Sequence, residues 1–215
     1  MTNDDMAKIV DTNDEWIFSR SGIRQRHYSH VTTGEMGWLA GERALAAAGI
    51  SADELDLVIL GSTTPEEYCP NTASIIKNKL GATKAAAFDL NSACTSWLYG
   101  LNAATDMVKS GSIKKALVIG AERISVAMDW SKRESCFLFG DGAGAVAVGV
   151  ALVTRGAGVA GGGVQFGVAL PTELARPLVR ARAGAARDDV ALDGGGVLAV
   201  GLDAAGEAAR GVVEV

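Results

Sequence analysis

The sequence predicts an α/β fold, with helices layered on a largely parallel sheet. Three observations carry this expectation. Apolar runs of strand length alternate with stretches of helical periodicity. Serine, threonine or asparagine caps open the helical stretches and glycines close them. A buried strand hands over directly to a helix at Asn91-Ser92, between Ala85–Leu90 and the helical pattern that follows Cys94.

The elements follow in order. Thr12-Asn13-Asp14-Glu15 is a capping-box pattern and predicts a short helix through Trp16 and Ile17. Thr32 to Glu35 repeats the pattern and opens a second helix, with Met36, Leu39, Ala40, Leu45 and Ala48 on one face and Gly49 as the stop. Leu55 to Leu60 reads as a buried strand closed by Gly61. Asn71 caps a third helix that ends at Leu80-Gly81. Ala85 to Leu90 reads as a strand, residues 95–110 as a long helix stopping at Gly111, and Ala116 to Ile119 as another strand. Cys136 to Phe139 and Ala143 to Val150 read as strands split by Gly140-Asp141-Gly142. Beyond Ala151 the composition shifts: Ala, Gly and Val dominate, and Lys, Ser, Ile, Asn, His, Cys, Met, Trp and Tyr are absent. Within that stretch Val190 to Gly194 and then Val197 to Val213 read as a strand, a turn and a helix.

Composition bounds the function. The chain has 215 residues, 48% hydrophobic and 21% charged, as in an ordinary soluble globular protein. A net charge of −5 with no basic cluster argues against nucleic acid as a partner. No apolar run suits a membrane span, and the acidic start Met1-Thr2-Asn3-Asp4-Asp5 has no signal-peptide core. Cys69, Cys94 and Cys136 are odd in number and widely spaced, which fits reduced thiols in a cytoplasmic protein rather than a disulfide framework. The only histidines, His27 and His30, lie in a polar stretch and read as surface residues. No metal site is expected.

Cys94 is the candidate nucleophile. The run Ala85-Ala86-Ala87-Phe88-Asp89-Leu90 breaks at Asn91-Ser92, and the helix through Trp97, Leu98, Leu101, Ala104 and Val108 begins just after the cysteine. The cysteine therefore sits where a strand hands over to a helix, facing unpaired N–H groups and the positive end of the helix dipole, a setting that favours the thiolate. The competing reading of a lone cysteine is a small residue that fills space.

Three motifs together resemble a known family. Asp11 to His27, reading Asp-Thr-Asn-Asp-Glu-Trp-Ile-Phe-Ser-Arg-Ser-Gly-Ile-Arg-Gln-Arg-His, resembles the N-terminal signature of β-ketoacyl-acyl carrier protein synthase III. Ser92-Ala93-Cys94 resembles that family's nucleophile site, and Phe139-Gly140-Asp141-Gly142-Ala143-Gly144-Ala145 its glycine-rich strand turn. The resemblance is good over residues 3–150. It implies a thiolase-like fold made of two similar halves, with residues 1–150 as the N-terminal half carrying the nucleophilic cysteine and residues 151–215 as the start of the second half. It implies an acyltransferase of fatty acid or related biosynthesis, which condenses an acyl-CoA starter with malonyl-acyl carrier protein through an acyl-cysteine. The alternatives are a thiolase-fold acyltransferase that passes the acyl group to an oxygen or nitrogen nucleophile, and a truncated non-catalytic partner subunit. Acyl-CoA is then a substrate, and no cofactor is expected.

Residue by residue, the resemblance puts Cys94 in the acyl-accepting role and places Trp16, Arg20 and Arg133 at the nucleotide end of CoA. Trp16 and Arg20 lie one helical turn apart, which suits a purine stack and a guanidinium clamp. A tryptophan packed on its own domain and a solvated Arg133 between Lys132 and Glu134 are the rival readings. Cys69 stands where the family often carries a bulky residue at the mouth of the acyl pocket. A homodimer is expected, with Ala85 to Leu90 as a pairing edge. The family also draws a histidine and an asparagine from its second half, and this sequence has no histidine after His30. The expectation is therefore the N-terminal two-thirds of a longer protein, holding the nucleophile without its electrophilic partners.

Overall fold

A computed structural model of the chain describes residues 1–150 and the backbone of the strands Val164–Ala169, Val197–Leu202 and Ala208–Ala209. The N-terminal stretch forms two short helices, α1 (Asn3–Met6) and α2 (Asp14–Ser21). The cap of α2 is Asn13, whose side chain accepts from the Trp16 N–H at 2.8 Å. The capping box read at Thr12 is therefore displaced by one residue, and the Thr12 hydroxyl lies buried without a partner.

Helix α3 (Thr33–Ala48) starts at Thr32, whose hydroxyl accepts from the Glu35 N–H at 3.1 Å, and ends at Gly49 with φ 63°. Its buried face differs from the expected one: Gly34, Gly37, Gly41, Ala44 and Leu45 face inward, whereas Leu39 is 38% exposed. A Cβ on Gly37 would stand 2.8 Å from the Ile76 side chain, so this face is selected for smallness rather than hydrophobicity.

The sheet begins with β1 (Leu57–Gly61), buried throughout. Helix α4 (Thr72–Leu80) runs from its Asn71 cap to Gly81 and leads to β2 (Ala86–Leu90). The Asp89 carboxylate on β2 accepts from the first N–H groups of α4, Thr72 at 3.0 Å and Ala73 at 2.7 Å, tying helix to strand. Helix α5 (Ser96–Lys109) and β3 (Lys115–Arg123) follow. The chain then makes a short helix α6 (Arg133–Cys136) and enters β4 (Asp141–Val150).

This last segment corrects the sequence reading twice. Residues 136–139 are not a strand: Cys136 and Phe137 close a small core with Met6 and Ile17. Nor do Gly140-Asp141-Gly142 split two strands. Asp141 is already paired with Arg123, and its carboxylate is held by the N–H groups of Ser29 at 2.8 Å and Ser125 at 2.9 Å.

The strands order β2-β1-β3-β4, continuing into β5 (Val164–Ala169), β6 (Val197–Leu202) and β7 (Ala208–Ala209). β1 is parallel to β2 and β3, but β4 runs antiparallel to β3, as does each later pair. The sheet is thus mixed rather than largely parallel. A parallel return needs a crossover across the sheet face. The connection after β3 instead carries a single 3₁₀ turn, Ile124–Val126, and the four-residue α6, which packs against α1 and α2, so the chain re-enters from the end it left. Val197–Leu202 is a strand where a helix was expected. The strand and turn read at Val190–Gly194 lie outside the described residues.

Successive residues of β1 and β3 serve opposite faces. Val58, Leu60, Leu117 and Ile119 pack with Ala44, Leu45, Ala73 and Ile76 from α3 and α4. Leu57, Ile59, Ala116 and Val118 pack with Ala104 and Val108 from α5. Each α5 side chain sunk into that face fixes where the start of the helix must lie.

Candidate active site

The turn between β2 and α5 holds Cys94. The cysteine lies in a 3₁₀ turn, Ala93–Thr95, and α5 proper starts two residues later at Ser96. Polar side chains build the turn. Buried Ser96 is the hub: its hydroxyl accepts from the Ser92 N–H at 2.8 Å and donates to the Ala93 carbonyl at 2.7 Å. Thr95 Oγ1 donates to the Ser92 carbonyl at 2.7 Å, and the Ala93 N–H donates to Asn91 Oδ1 at 3.2 Å. Ala93 is forced to φ 51°, the only non-glycine positive φ among the described residues, a strain of order 1–2 kcal/mol. Thr95, the residue before α5, offers the helix no side-chain cap. Among the described residues the Cys94 N–H has no hydrogen-bond partner, so the turn keeps a free donor beside the thiol.

Glycines seat α5 against the sheet. A Cβ on Gly61, at the end of β1, would stand 2.7 Å from the Trp97 nitrogen and 2.9 Å from the Ser96 carbonyl carbon. Gly120 on β3 gives the Trp97 ring its place, at 3.1 Å from a would-be Cβ. Cys94 therefore opens onto a pocket of about 490 Å³ whose walls include Gly61, Thr63, Trp97, Glu122, Phe139 and Gly142. Cys94 is exposed, as is Cys69, whereas Cys136 is buried and its burial pushes that thiol's pKa up.

The other three candidates form a second cluster. Trp16 on α2 has the Arg20 guanidinium 4.5 Å and the Arg133 guanidinium 4.6 Å from its ring centre. Arg133 donates to the Asp11 carbonyl at 3.0 Å, and Arg20 to the Trp16 carbonyl at 3.2 Å. Phe137 meets Trp16 edge-on, 5.3 Å between centroids. None of the three lines the Cys94 pocket; the segment from Phe137 to Phe139 joins the two places. His27 and His30 are exposed. Three site features were not read from the sequence: the orphaned Thr12 hydroxyl next to Asp11, the Phe139 wall, and Glu122 at the end of β3. Only Phe139 carried a signal, its place beside the glycine-rich motif.

Residues 88–161, which run from within β2 through the Cys94 turn and β4, match the family model for 3-oxoacyl-[acyl-carrier-protein (ACP)] synthase III. A β-ketoacyl-[acyl-carrier-protein] synthase III of Xanthomonas axonopodis pv. citri is 50% identical over 148 residues, 68% of this chain and 46% of that protein. Over its matched part this chain is similar to the synthase III family. A second synthase III, from Vibrio cholerae, is also 50% identical, over 68% of this chain and 40% of its own. The synthase III crystal structure from Aquifex aeolicus superposes with a TM-score of 0.69 at 46% identity, covering 71% of this chain and 50% of that one. The thiolase-like α/β fold implied by the motifs is thereby borne out. The chain spans about half the length of the curated relatives it matches. Among the described residues, no helix is long and apolar enough to cross a membrane, and no three His, Cys, Asp or Glu side chains gather as a metal site.

Proposed function

We propose that Cys94 accepts an acyl group from acyl-CoA, the first half-reaction of a β-ketoacyl-acyl carrier protein synthase III, and that residues 1–150 are the half of the enzyme that carries this step. The observation behind it is the exposed thiol on a strained, hydroxyl-bound turn, opening onto a largely apolar pocket. The Cys94 thiolate attacks the thioester carbonyl; the carbonyl carbon gains the bond to Sγ and loses its bond to the CoA sulfur, which leaves as a thiolate and takes up a proton. The uncommitted Cys94 N–H supplies a donor for the oxyanion formed on the way. Condensation follows when malonyl-acyl carrier protein loses carbon dioxide and its carbanion attacks the acyl group, returning the Cys94 thiolate. Among the described residues, no histidine or asparagine lines the Cys94 pocket.

The reading places the CoA nucleotide on Trp16, with Arg20 and Arg133 beside it. A purine stacked between Trp16 and Arg133 needs two contacts of about 3.5 Å, or about 7 Å in all. The guanidinium now stands 4.6 Å from the ring, so it must swing aside for the base to enter and then close on its far face. Trp16→Ala and Arg133→Ala are each expected to weaken CoA binding roughly tenfold or more, about 1.4 kcal/mol per decade, measured by calorimetry on the full chain. If both variants bind CoA within twofold of the parent, the nucleotide lies elsewhere.

Acyl-CoA thus enters as substrate, with no cofactor, and the protein works in the cytoplasm as a homodimer. β2 supports the dimer: among the described residues it is the end strand of the sheet, paired only with β1, and it is partly exposed. Sedimentation of the full chain as a monomer at micromolar concentration would exclude it.

A further inference from the structure

Glu122 is a carboxylate in the wall of the Cys94 pocket, and among the described residues its side-chain hydrogen bonds all go to one neighbouring turn. Its Oε1 accepts from the Thr63 N–H at 2.5 Å, and its Oε2 accepts from the hydroxyls of Thr63 at 2.7 Å and Thr64 at 2.8 Å. Thr64 is fixed in addition by the Arg123 N–H, which donates to its hydroxyl at 2.8 Å, and by Thr33, whose hydroxyl donates to its carbonyl at 2.7 Å. With three of its about four acceptor sites filled by donors of this turn, Glu122 is held in place by the turn. What it does control is the position of Thr63, which lines the same pocket. The turn begins just past Gly61, where β1 ends against the start of α5; Ser62 is tied to the Leu90 carbonyl at 3.2 Å and Thr64 to Arg123 and Thr33, but among the described residues the hydrogen bonds of Thr63 go to Glu122 alone.

We propose that Glu122 is a positioning residue that holds the Thr63 wall of the Cys94 pocket and thereby sets the length of acyl chain the thiol admits. The inference rests on the acyl-acceptor reading of Cys94 for its biological meaning. The shape of the pocket is measurable without that reading. The probes are iodoacetamide and its N-octyl derivative, with alkylation of Cys94 followed by peptide mass mapping on the full chain. Glu122→Ala releases the turn and should raise the octyl-to-unsubstituted rate ratio at least threefold, with the iodoacetamide rate within twofold of the parent. Glu122→Gln keeps an oxygen for the Thr63 N–H and presents its amide to hydroxyls that can turn to accept, so it should retain the parent ratio. Thr63→Val keeps the side-chain shape, loses one bond, and should shift the ratio in the same direction as Glu122→Ala. This variant carries the test if Glu122→Ala does not fold. An unchanged ratio in Glu122→Ala, or in Thr63→Val where that variant is used, overturns the proposal. A Glu122→Gln that slows iodoacetamide as well overturns it too, because the charge rather than the position would then matter. Labelling of parent Cys94 by acyl-CoA, read in parallel, reports separately on the acyl-acceptor role.

Discussion

Cys94→Ala is expected to keep the fold and lose acyl transfer altogether. Cys94 is exposed and makes no side-chain hydrogen bond among the described residues, so its removal opens no cavity in the core. The turn that carries it is held by Ser92, Thr95 and Ser96, none of which depends on the thiol. The variant should therefore unfold at the parent temperature. Its rate of acyl uptake should fall by a factor on the order of 10⁴ or more, the scale seen when a sole nucleophile is deleted. Transfer from radiolabelled acetyl-CoA, followed alongside thermal unfolding, checks both halves. A Cys94→Ala chain that still takes up acyl groups at a comparable rate places the nucleophile elsewhere.

Gly61→Ala should be the most damaging substitution at the seat of the site. The added Cβ meets backbone, at 2.7 Å from the Trp97 nitrogen and 2.9 and 3.0 Å from the Ser96 carbonyl carbon and the Trp97 Cα. Side chains can turn away from such a contact, but the first turn of a helix cannot. Relief requires α5 to shift, and α5 is anchored by Ala104 and Val108 on the sheet and by Trp97 over Gly120. Overpacking of this kind costs about 1–3 kcal/mol, and a clash with backbone belongs at the upper end. For a protein of this size that corresponds to a fall in melting temperature of roughly 6–12 °C. Acylation should drop as well, because the start of α5 positions the Cys94 turn. A melting temperature within about 2 °C of the parent would show that α5 is not fixed through Gly61.

Much of this arrangement is legible in the chain. The ends of α3 and α4 are written as Thr32 with Gly49 and Asn71 with Gly81, because caps act within one turn and need no distant partner. The Cys94 turn is announced by Asn91-Ser92 between a strand and a helix, and Trp16 with Arg20 by their i,i+4 spacing. What escaped is non-local. Arg133 reaches the Asp11 carbonyl across 122 residues, and Glu122 reaches Thr63 across 59. Neither has a local pattern to betray it. The inward face of α3 escaped for another reason: hydrophobicity points to Leu39, but the close approach of α3 to α4 and the sheet demands Gly37 and Gly41. The antiparallel β4 escaped because its direction is set by where α6 packs, and the apolar run itself is the same in either direction.

The central claim is that Cys94 is the acyl acceptor. The most direct test incubates the full chain with a short acyl-CoA and maps the acyl group by peptide mass after rapid quenching. The account predicts a single acyl group on the peptide containing Cys94, sensitive to hydroxylamine as a thioester is, with Cys69 and Cys136 unmodified. Acylation of Cys69 in preference to Cys94, or none at Cys94 at saturating acyl-CoA, would contradict it.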